Sequence, residues 1–390
     1  MKKKIIITNA ILLIFQLITT QLFAAQPIGY ASLDTLGQKG TTGGDGGPVV
    51  TVSNAQELIE NISKEGPYII LILGMIKVPG GMHEVSSDKT IAGIGANPGI
   101  TGGGFNIGLP IDNSITSPPP NAVHNVIIQN LTFNRGSVDN VNVQMFSHHV
   151  WVHHNTFTST ADGALDIKRG CSFVTVSYNH FIGIHKTALI GHNDGNAAQD
   201  VGRLKVTYHH NLFESCQSRQ PRVRFGEVHI YNNYYKNMNG YAIGVGAGAR
   251  AYSENNYKEG GGAFCKYMGA GTSTGGLKDI GSIGGKSLRP EMITWNPKDR
   301  YEYKLDPAKD VKSIVTANAG AGKIKFVTSK ISPAKMLKQK KRNSVLQLPS
   351  GKLTIYNFRG QRITYIKTQN SPGIYLRGYN SNLKPYMYTP

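Results

Sequence analysis

Seven charged residues in the middle of the chain have the types and spacing needed to hold a metal ion beside a row of cations. They lie in three clusters, DGALDIKRG at 162–170, IHKTALIGH at 184–192 and SRQPRVRFG at 218–226, with one more aspartate upstream. The seven are Asp139, Asp162, Asp166, Lys186, Arg219, Arg222 and Arg224. Three neighbouring carboxylates ionise together only with a cation between them, and their hard oxygen ligands suit Ca²⁺. The lysine and arginines could bind carboxylates of a ligand.

The segments that separate these clusters repeat along the chain. Each ends on an aromatic residue, and the steps between those residues are 24, 24, 32, 22 and 22. The aromatic residues are Phe133, Phe157, Phe181, Phe213, Tyr235 and Tyr257. Five asparagines lie two positions before the aromatic residue of their segment: Asn155, Asn179, Asn211, Asn233 and Asn255. Self-similarity at such a period is typical of a solenoid.

The repeats begin with alternating β-branched or aromatic residues, as in VWVHH at 150–154 and VTVSY at 174–178. This pattern predicts short strands and no helix, so each repeat is one coil of a parallel β-helix. Asparagine tolerates left-handed backbone in turns, and stacked amides can bond from coil to coil. We therefore predict an all-β solenoid with internal asparagine and aromatic ladders.

The charged residues share a phase within this repeat. Asp139 and Arg219 fall six residues after the aromatic residue of their segments, and Asp162 and Lys186 fall five after theirs. The same phase predicts one wall of the solenoid, with neighbouring coils about 4.8 Å apart. The 32-residue step adds about eight residues after Lys186, and insertions in solenoids usually decorate the binding face.

The ordered series VWVHHNTF, DGALDIKRG, VTVSYNHF, HKTALIGH, VTYHHNLF, RQPRVRFG and VHIYNNYY resembles the pectate lyases of polysaccharide lyase family 1. The resemblance covers roughly residues 27–323 and is specific because so many motifs occur in order. It implies a right-handed, single-stranded parallel β-helix. It also implies calcium-dependent β-elimination of polygalacturonate, an acidic polysaccharide, to 4,5-unsaturated oligogalacturonides by an endo-acting enzyme.

The same resemblance assigns roles to the seven residues. The calcium ligands of the family match Asp162 and Asp166, and a third matches Asp139 in DNVNV, with a one-residue insertion before Val150. The catalytic arginine matches Arg219. The substrate-binding residues match Lys186 and Arg224, and Arg222 joins them as a neighbouring cation. One position departs from the family, because His153 replaces the usual aspartate of WIDH, and this bears on local packing more than on catalysis.

An arginine that acts as a base requires unusual surroundings, because a guanidinium stays protonated far above neutral pH. Neighbouring cations favour its neutral form, so the sequence predicts alkaline activity. Two alternatives stay open. One is a lyase for methylated pectin or another uronate polymer, although Asp162 and Asp166 disfavour the calcium-independent pectin lyases. The other is a non-catalytic β-helix that binds polysaccharide.

Four segments are predicted. Residues 1–25 carry three lysines, an apolar run and Ala24-Ala25, which indicates a signal peptide and a secreted protein, extracellular or attached to the cell surface. An anchoring helix is the alternative. The lyase domain follows at 26–323, then a basic linker at 324–344. A small β module at 345–390 resembles C-terminal sorting domains of type IX-like secretion, with a small carbohydrate-binding or purely terminal module as alternatives.

The formal net charge is +19, from 42 Lys and Arg against 23 Asp and Glu. Nucleic acid, anionic membrane and acidic polysaccharide all fit this charge, but basic residues along one wall and the signal peptide favour the polysaccharide. We expect a monomer that binds neither nucleic acid nor, when mature, a membrane.

Three cysteines are too few for a disulfide scaffold, and we expect mostly buried thiols. The histidines at 148, 149, 153 and 154 alternate across a strand, which disfavours a zinc site. The segment 52–66 predicts a helix capped by Ser53 that covers the N-terminal end of the solenoid.

Overall fold

The repeated runs form short strands that pair in parallel with the equivalent strands of the next coil. The computed structural model describes residues 26–269 and 275–324 in full, and beyond them the backbone of three strands. The β-helix, up to Ile324, and those three strands belong to separate compact units. The predicted signal peptide and, beyond Ile324, the predicted linker lie outside the described residues. The predicted parallel β-helix is confirmed.

One sheet of eight parallel strands carries the predicted charged wall, and we call it the wall sheet. Its strands, in order along the helix axis, are β5 (Met82–Val85), β7 (Gly104–Ile107), β10 (Val141–Val143), β13 (Gly163–Ile167), β16 (Lys186–Ile190), β19 (Arg222–Val223), β22 (Tyr241–Val245) and β25 (Ala263–Tyr267).

The remaining strands of the helix form a 16-stranded sheet that wraps the other faces. The longer strands are β3 (Val49–Val52), β4 (Tyr68–Lys77), β6 (Lys89–Thr101), β8 (His124–Gln129), β11 (His148–His153), β14 (Ser172–Ser177), β17 (Val206–His209), β20 (Glu227–Tyr231), β23 (Arg250–Glu254) and β26 (Gly276–Ile280). The shorter ones are β9 (Thr132–Asn134), β12 (Thr156–Phe157), β15 (His180–Ile182), β18 (Leu212–Glu214), β21 (Tyr234–Lys236) and β24 (Tyr257–Glu259). An antiparallel pair, β1 (Asp34–Thr35) and β2 (Gln38–Lys39), precedes them.

The strands of the C-terminal unit are β27 (Lys352–Tyr356), β28 (Arg362–Ile366) and β29 (Tyr375–Gly378). They pair antiparallel in chain order and lie within the segment predicted as a small β module.

An asparagine ladder joins the coils at one corner. The Asn155 side chain donates to Asn179 Oδ1 at 3.0 Å, Asn179 donates to Asn211 at 3.1 Å, and Asn211 donates to Asn233 at 2.9 Å. The last rung is Asn256, which accepts from Asn233 at 3.0 Å, so the prediction of Asn255 is wrong by one residue. That coil is one residue longer than its predecessor at this corner, since Tyr234, and not Tyr235, pairs with Tyr257.

The predicted aromatic ladder is confirmed for five residues. Their rings stack face to face with centroids 4.7–5.2 Å apart, from Phe133 through Phe157, Phe181 and Phe213 to Tyr235. All are fully buried beside the aliphatic residues of the main core. In the described part of the chain these rings and aliphatic side chains pack together in the interior, so functional residues are expected on the outer faces.

Helices cover the ends and one flank of the solenoid. Helix α1 (Ala55–Ser63) buries Leu58 and Ile62 in the main core, as expected for a cover of the first coils. Its N-cap is Asn54, whose side chain accepts from the Glu57 backbone N–H, so the predicted Ser53 cap is wrong. Helix α2 is Ala197–Asp200, and α3 (Ala308–Asn318) packs Val311 and Val315 against the short strands. Three-residue 3₁₀ turns lie at Tyr30–Ser32, Pro290–Met292 and Pro297–Asp299.

The composition of 261–285, rich in glycine, serine and threonine, predicts a long loop, but this stretch contains β25 and β26 and so adds another coil. All three cysteines are free thiols, and Cys171 and Cys216 are buried. Among the described residues, no helix is both long and apolar enough to cross a membrane.

Candidate active site

The register of the wall sheet brings the predicted charged residues onto one face. Gly163 pairs with Lys186, and Lys186 pairs with Ser218, so Asp162 and Arg219 each lie one position from the row of Lys186. Three residues further along these strands, Asp166 pairs with Leu189, which pairs with Arg222. The predicted wall is therefore present, with shifts of one residue between coils.

Two of the three predicted metal ligands converge. Asp139 and Asp166 are 3% and 4% exposed, and their side chains approach each other over the α-carbon of Gly163. A Cβ atom at Gly163 would lie 2.5 Å from Asp166 Oδ1 and 2.9 Å from Asp139 Oδ1. Asp139 Oδ1 also accepts the Gly163 backbone N–H at 2.6 Å. A glycine at this position thus leaves space into which both carboxylates project.

Lys168 supplies the positive charge beside this acidic pair. Its Nζ lies 3.4 Å from Asp139 Oδ2 and 3.5 Å from Asp166 Oδ2, and its side chain is 13% exposed. These distances are at the long end of hydrogen bonding, so the ammonium interacts with both carboxylates without satisfying either fully.

Asp166 is the least satisfied acid of the wall. Its Oδ1 is buried and has no hydrogen-bond partner among the described residues. Burial raises the pKa of Asp166 to about 6; Lys168 opposes that shift and the Asp139 carboxylate adds to it. A buried carboxylate oxygen without a donor is energetically costly, and a bound cation would remove that cost.

The third predicted ligand, Asp162, forms an ion pair with Lys186. Its Oδ1 accepts from Lys186 Nζ at 2.8 Å, and about half of its side chain is exposed. With Asp162 in this ion pair, the described residues include no group of three His, Cys, Asp or Glu side chains placed to hold a metal ion. The structure therefore brings Asp139 and Asp166 together and pairs Asp162 with Lys186.

The three arginines follow an irregularity in the wall sheet. The register offset is 32 residues from Lys186 to Ser218 and 33 from Leu189 to Arg222, so one extra residue is inserted between them. Arg219 lies in this bulge with φ 66°, a left-handed conformation that is uncommon for arginine. Bulges often redirect side chains beside active sites. Here the bulge brings Arg219 close enough for its charge to act on Asp166.

Hydrogen bonds from neighbouring segments hold Arg222 and Arg224. Arg222 Nη2 donates to the Met268 carbonyl oxygen at 3.1 Å; burial and, next, the Arg224 guanidinium lower the pKa of Arg222. Arg224 is 7% exposed, and its Nε donates to Asp194 at 2.5 Å. Cations therefore crowd the C-terminal end of the wall and carboxylates the N-terminal end, as the sequence predicted.

His153, the position that departs from the family motif, is accommodated in the core of the neighbouring face. Its ring stacks on Trp151 with centroids 3.6 Å apart, and its Nδ1 lies 2.9 Å from His154 Nδ1. Burial lowers the pKa of His153 well below its ordinary value, so the ring is neutral. Strict alternation would have separated His153 from His154, but the left-handed φ of 52° at His154 brings the two rings together.

Two site residues escaped the sequence reasoning. Lys168 stands two positions after Asp166, which on a strand means the same side, so its place could have been found from spacing alone. Asp194 lies in the extra residues of the 32-residue step, where no repeat defines a position, and only the fold reveals its contact with Arg224.

Comparison with known proteins identifies the family. The pectate lyase family model matches residues 3–324. A pectate trisaccharide-lyase of Thermotoga maritima is 34% identical over 368 residues, which cover 82% of this chain and 96% of the relative. Pectate lyase A of Emericella nidulans is 32% identical over 302 residues, covering 75% and 85%.

Solved structures agree with these relatives. A pectate lyase of Bacillus sp. N165 in complex with trigalacturonate superposes with a TM-score of 0.64 at 29% identity, covering 77% of this chain and all of that one. A thermostable pectate lyase superposes at 0.62 with 26% identity, covering 76% and 97%. By sequence and by fold, the chain belongs to the pectate lyase family and is a polysaccharide lyase.

Proposed function

We propose that this pectate lyase is a secreted, calcium-dependent enzyme that cleaves α-1,4-linked polygalacturonate by β-elimination, giving 4,5-unsaturated oligogalacturonides. The observation that carries the proposal is the wall itself. Two buried carboxylates, one with an unsatisfied oxygen, converge next to a row of lysine and arginine side chains. That arrangement suits a polymer whose repeating unit is a carboxylate.

The donor set fits calcium. Asp139 and Asp166 present hard oxygen atoms over Gly163, and Asp166 Oδ1 is an acceptor that no donor in the described part of the chain uses. Asp162 would complete the set once it leaves Lys186. Bound calcium would supply positive charge next to a substrate carboxylate.

Lys186 links substrate binding to the position of Asp162. Their ion pair is exposed, so a galacturonate carboxylate can replace Asp162 on the ammonium at little cost. That exchange would free the Asp162 carboxylate to turn towards the acidic pair. In one step, Lys186 would therefore bind a substrate carboxylate and release Asp162, which could then act as a metal ligand.

β-Elimination requires a base for the proton at C5 of a galacturonate unit. The proton passes to the base, the C4–O bond breaks, the departing glycosidic oxygen takes up a proton, and a C4=C5 double bond forms. We assign the base to Arg219, whose charge acts on both Asp166 and Arg222. Arg222 and Arg224 stabilise the negative charge that develops beside the C6 carboxylate.

The test follows the ultraviolet absorbance of the unsaturated product with polygalacturonate at alkaline pH, with calcium or with chelator. We expect product only with calcium, and a loss of at least about 100-fold in Arg219→Lys, which keeps the charge but not the guanidinium. Arg300→Lys is the matched control, because Arg300 pairs with Glu227 on another face. Product that persists in chelator would instead favour a pectin lyase. A folded protein without product on any uronate polymer would favour a non-catalytic binding protein.

Export is proposed from the sequence alone. We propose that residues 1–25 are a signal peptide and that residues 345–390 form a sorting module removed or anchored at the cell surface, on a protein that acts as a monomer. Mass spectrometry of the exported protein is the test. An intact segment 330–390 on freely secreted protein would exclude a cleaved sorting tail.

A further inference from the structure

The 32-residue coil between Phe181 and Phe213 carries a loop that reaches back to the wall. Residues 191–205 connect β16 to β17 and contain the eight or so residues that this coil has beyond its neighbours. We propose that Asp194 on this loop is a positioning residue, which fixes the guanidinium of Arg224 so that it can bind a galacturonate carboxylate. The inference rests on the proposed function of the wall and adds a residue to it.

The contact itself is close and directional. Arg224 Nε donates to Asp194 Oδ1 at 2.5 Å, and Arg224 Nη1 donates to the Gly191 carbonyl oxygen at 3.0 Å. Two of the three guanidinium nitrogens are thus held, which sets the plane of the group. Within the described part of the chain, the hydrogen bonds of Arg224 leave Nη2 for a ligand.

The loop that presents Asp194 is itself anchored. Asn193 Oδ1 accepts the Gly195 N–H at 2.9 Å, which closes a turn around Asp194. Farther along, the buried Asp200 accepts from Asn196 Nδ2 and from the Gly170 N–H, both at 2.8 Å. Gly170 lies four residues after Asp166, so these bonds fix the loop relative to the acidic pair.

Charge explains why Arg224 needs this partner. Burial and, next, the Arg224 charge lower the pKa of Arg222. Burial and then the charges of Arg169, Lys168 and Arg224 lower the pKa of His192. Without Asp194, the repulsion among these cations would move the Arg224 side chain away from its observed position. A carboxylate at Nε offsets that repulsion. It also fixes the plane of the Arg224 guanidinium, which sets the direction in which Nη2 points.

An alternative role for Asp194 predicts the opposite change in KM when its charge is removed. If Asp194 occupied the place of a substrate carboxylate, removing its charge would tighten substrate binding. The geometry disfavours this role, because Asp194 uses Nε while the described contacts leave Nη2 available, and because Asp200 ties the loop to the Gly170 backbone. A positioning role predicts weaker binding when the charge is removed.

The experiment compares full-length wild type, Asp194→Asn, Asp194→Glu and Asp112→Asn in steady-state assays on polygalacturonate. We expect Asp194→Asn to raise KM about tenfold with kcat within about threefold, and Asp194→Glu to recover part of the loss, since a charge-assisted bond is re-formed. Asp112→Asn removes the same charge from an exposed position on a neighbouring loop and should leave both constants unchanged.

Three results would overturn the inference. They are an unchanged KM in Asp194→Asn, a lowered KM in Asp194→Asn, and an equal rise of KM in Asp112→Asn. The last result would show that the effect comes from net charge alone. Calorimetric titration of trigalacturonate into the same proteins separates this inference from the proposed function. If wild type turns over no polygalacturonate, the proposed function fails. Weaker trigalacturonate binding by Asp194→Asn than by wild type would then still support the positioning role, and equal binding would end it.

Discussion

Acidification should destabilise this β-helix through its buried histidines. Three His–His pairs lie along the large sheet, each with its two Nδ1 atoms 2.8–2.9 Å apart: His148 with His149, His153 with His154, and His209 with His210. Such a contact requires one ring to donate and the other to accept, so both rings cannot be protonated. Burial lowers the pKa of His148 and of His154 to about 4, against 6.5 ordinarily.

The sign and size follow from proton linkage. Both histidines have folded-state pKa values below the unfolded value, so stability is fully present above about pH 6.5 and falls as the pH decreases towards the folded values. At about pH 5 the unfolded chain has gained nearly one proton per histidine and the folded chain almost none. At about 1.4 kcal/mol per pH unit, each costs about 2 kcal/mol, or about 4 kcal/mol for the two. Asp166 acts in the opposite direction, because its raised pKa of about 6 means that the folded state binds a proton first, and it offsets about 1 kcal/mol.

The assay is urea denaturation in chelator at about pH 7.5 and about pH 5, followed by tryptophan fluorescence. We expect the free energy of unfolding to drop by about 3 kcal/mol, a large share of a typical total. His154→Asn should reduce the drop by about 2 kcal/mol, because asparagine tolerates the left-handed backbone and does not titrate. His185→Asn, at an exposed position, is the control. A drop below about 1 kcal/mol in wild type, or an undiminished drop in His154→Asn, would refute the linkage argument.

Three further changes test the site and the ladder. Gly163→Ala places a methyl group among the site carboxylates and should abolish calcium binding in calorimetric titrations while circular dichroism stays unchanged; Gly80→Ala, which meets no atom closer than 3.4 Å, should bind normally. Lys168→Met removes the ammonium that would repel calcium and should tighten calcium binding about tenfold by the same titration, and weaker binding would show that the lysine supports the site. Asn179→Ala breaks the ladder and leaves buried groups unpaired, so the free energy of unfolding should fall by about 3 kcal/mol in urea, against less than about 0.5 kcal/mol for Asn61→Ala, at a partly exposed position on helix α1.

The repeat was readable from sequence because it is enforced by backbone pairing. Each coil must place its asparagine and aromatic residue against those of the next coil, so spacing alone predicted Asn155 through Asn233 and the stack from Phe133 to Tyr235. The prediction failed at Asn255 because this coil is one residue longer. Tyr257, which set the alignment, pairs with Tyr234 and not with Tyr235, so the ladder continues through Asn256. Periodicity is reliable only while the period holds.

Side-chain partners in the site were harder to predict. The family resemblance grouped Asp162 with Asp166 as metal ligands, but Asp162 precedes its strand and pairs with Lys186, the residue that shares its phase. The bulge at Arg219 follows from a left-handed residue that no local motif announces. Asp194 reaches Arg224 from an insertion whose path is set by tertiary contacts such as that of Asp200 with Gly170. Contacts made across coils by irregular segments depend on the whole fold.

The asparagine ladder allows the loops on the wall side to change in length without changing the contacts that stabilise the core. The coil from Asn179 to Asn211 is eight residues longer than the one from Asn155 to Asn179, yet the backbone N–H to amide contact is 3.0 Å in both. The added residues therefore change nothing at the corner that holds the coils in register. Loops on the wall side can lengthen, shorten or be exchanged between relatives while the core keeps its spacing. For protein engineering, this means that the 191–205 loop can be altered without disturbing the ladder, provided that Asp194 and Asp200 keep their contacts with Arg224 and Gly170.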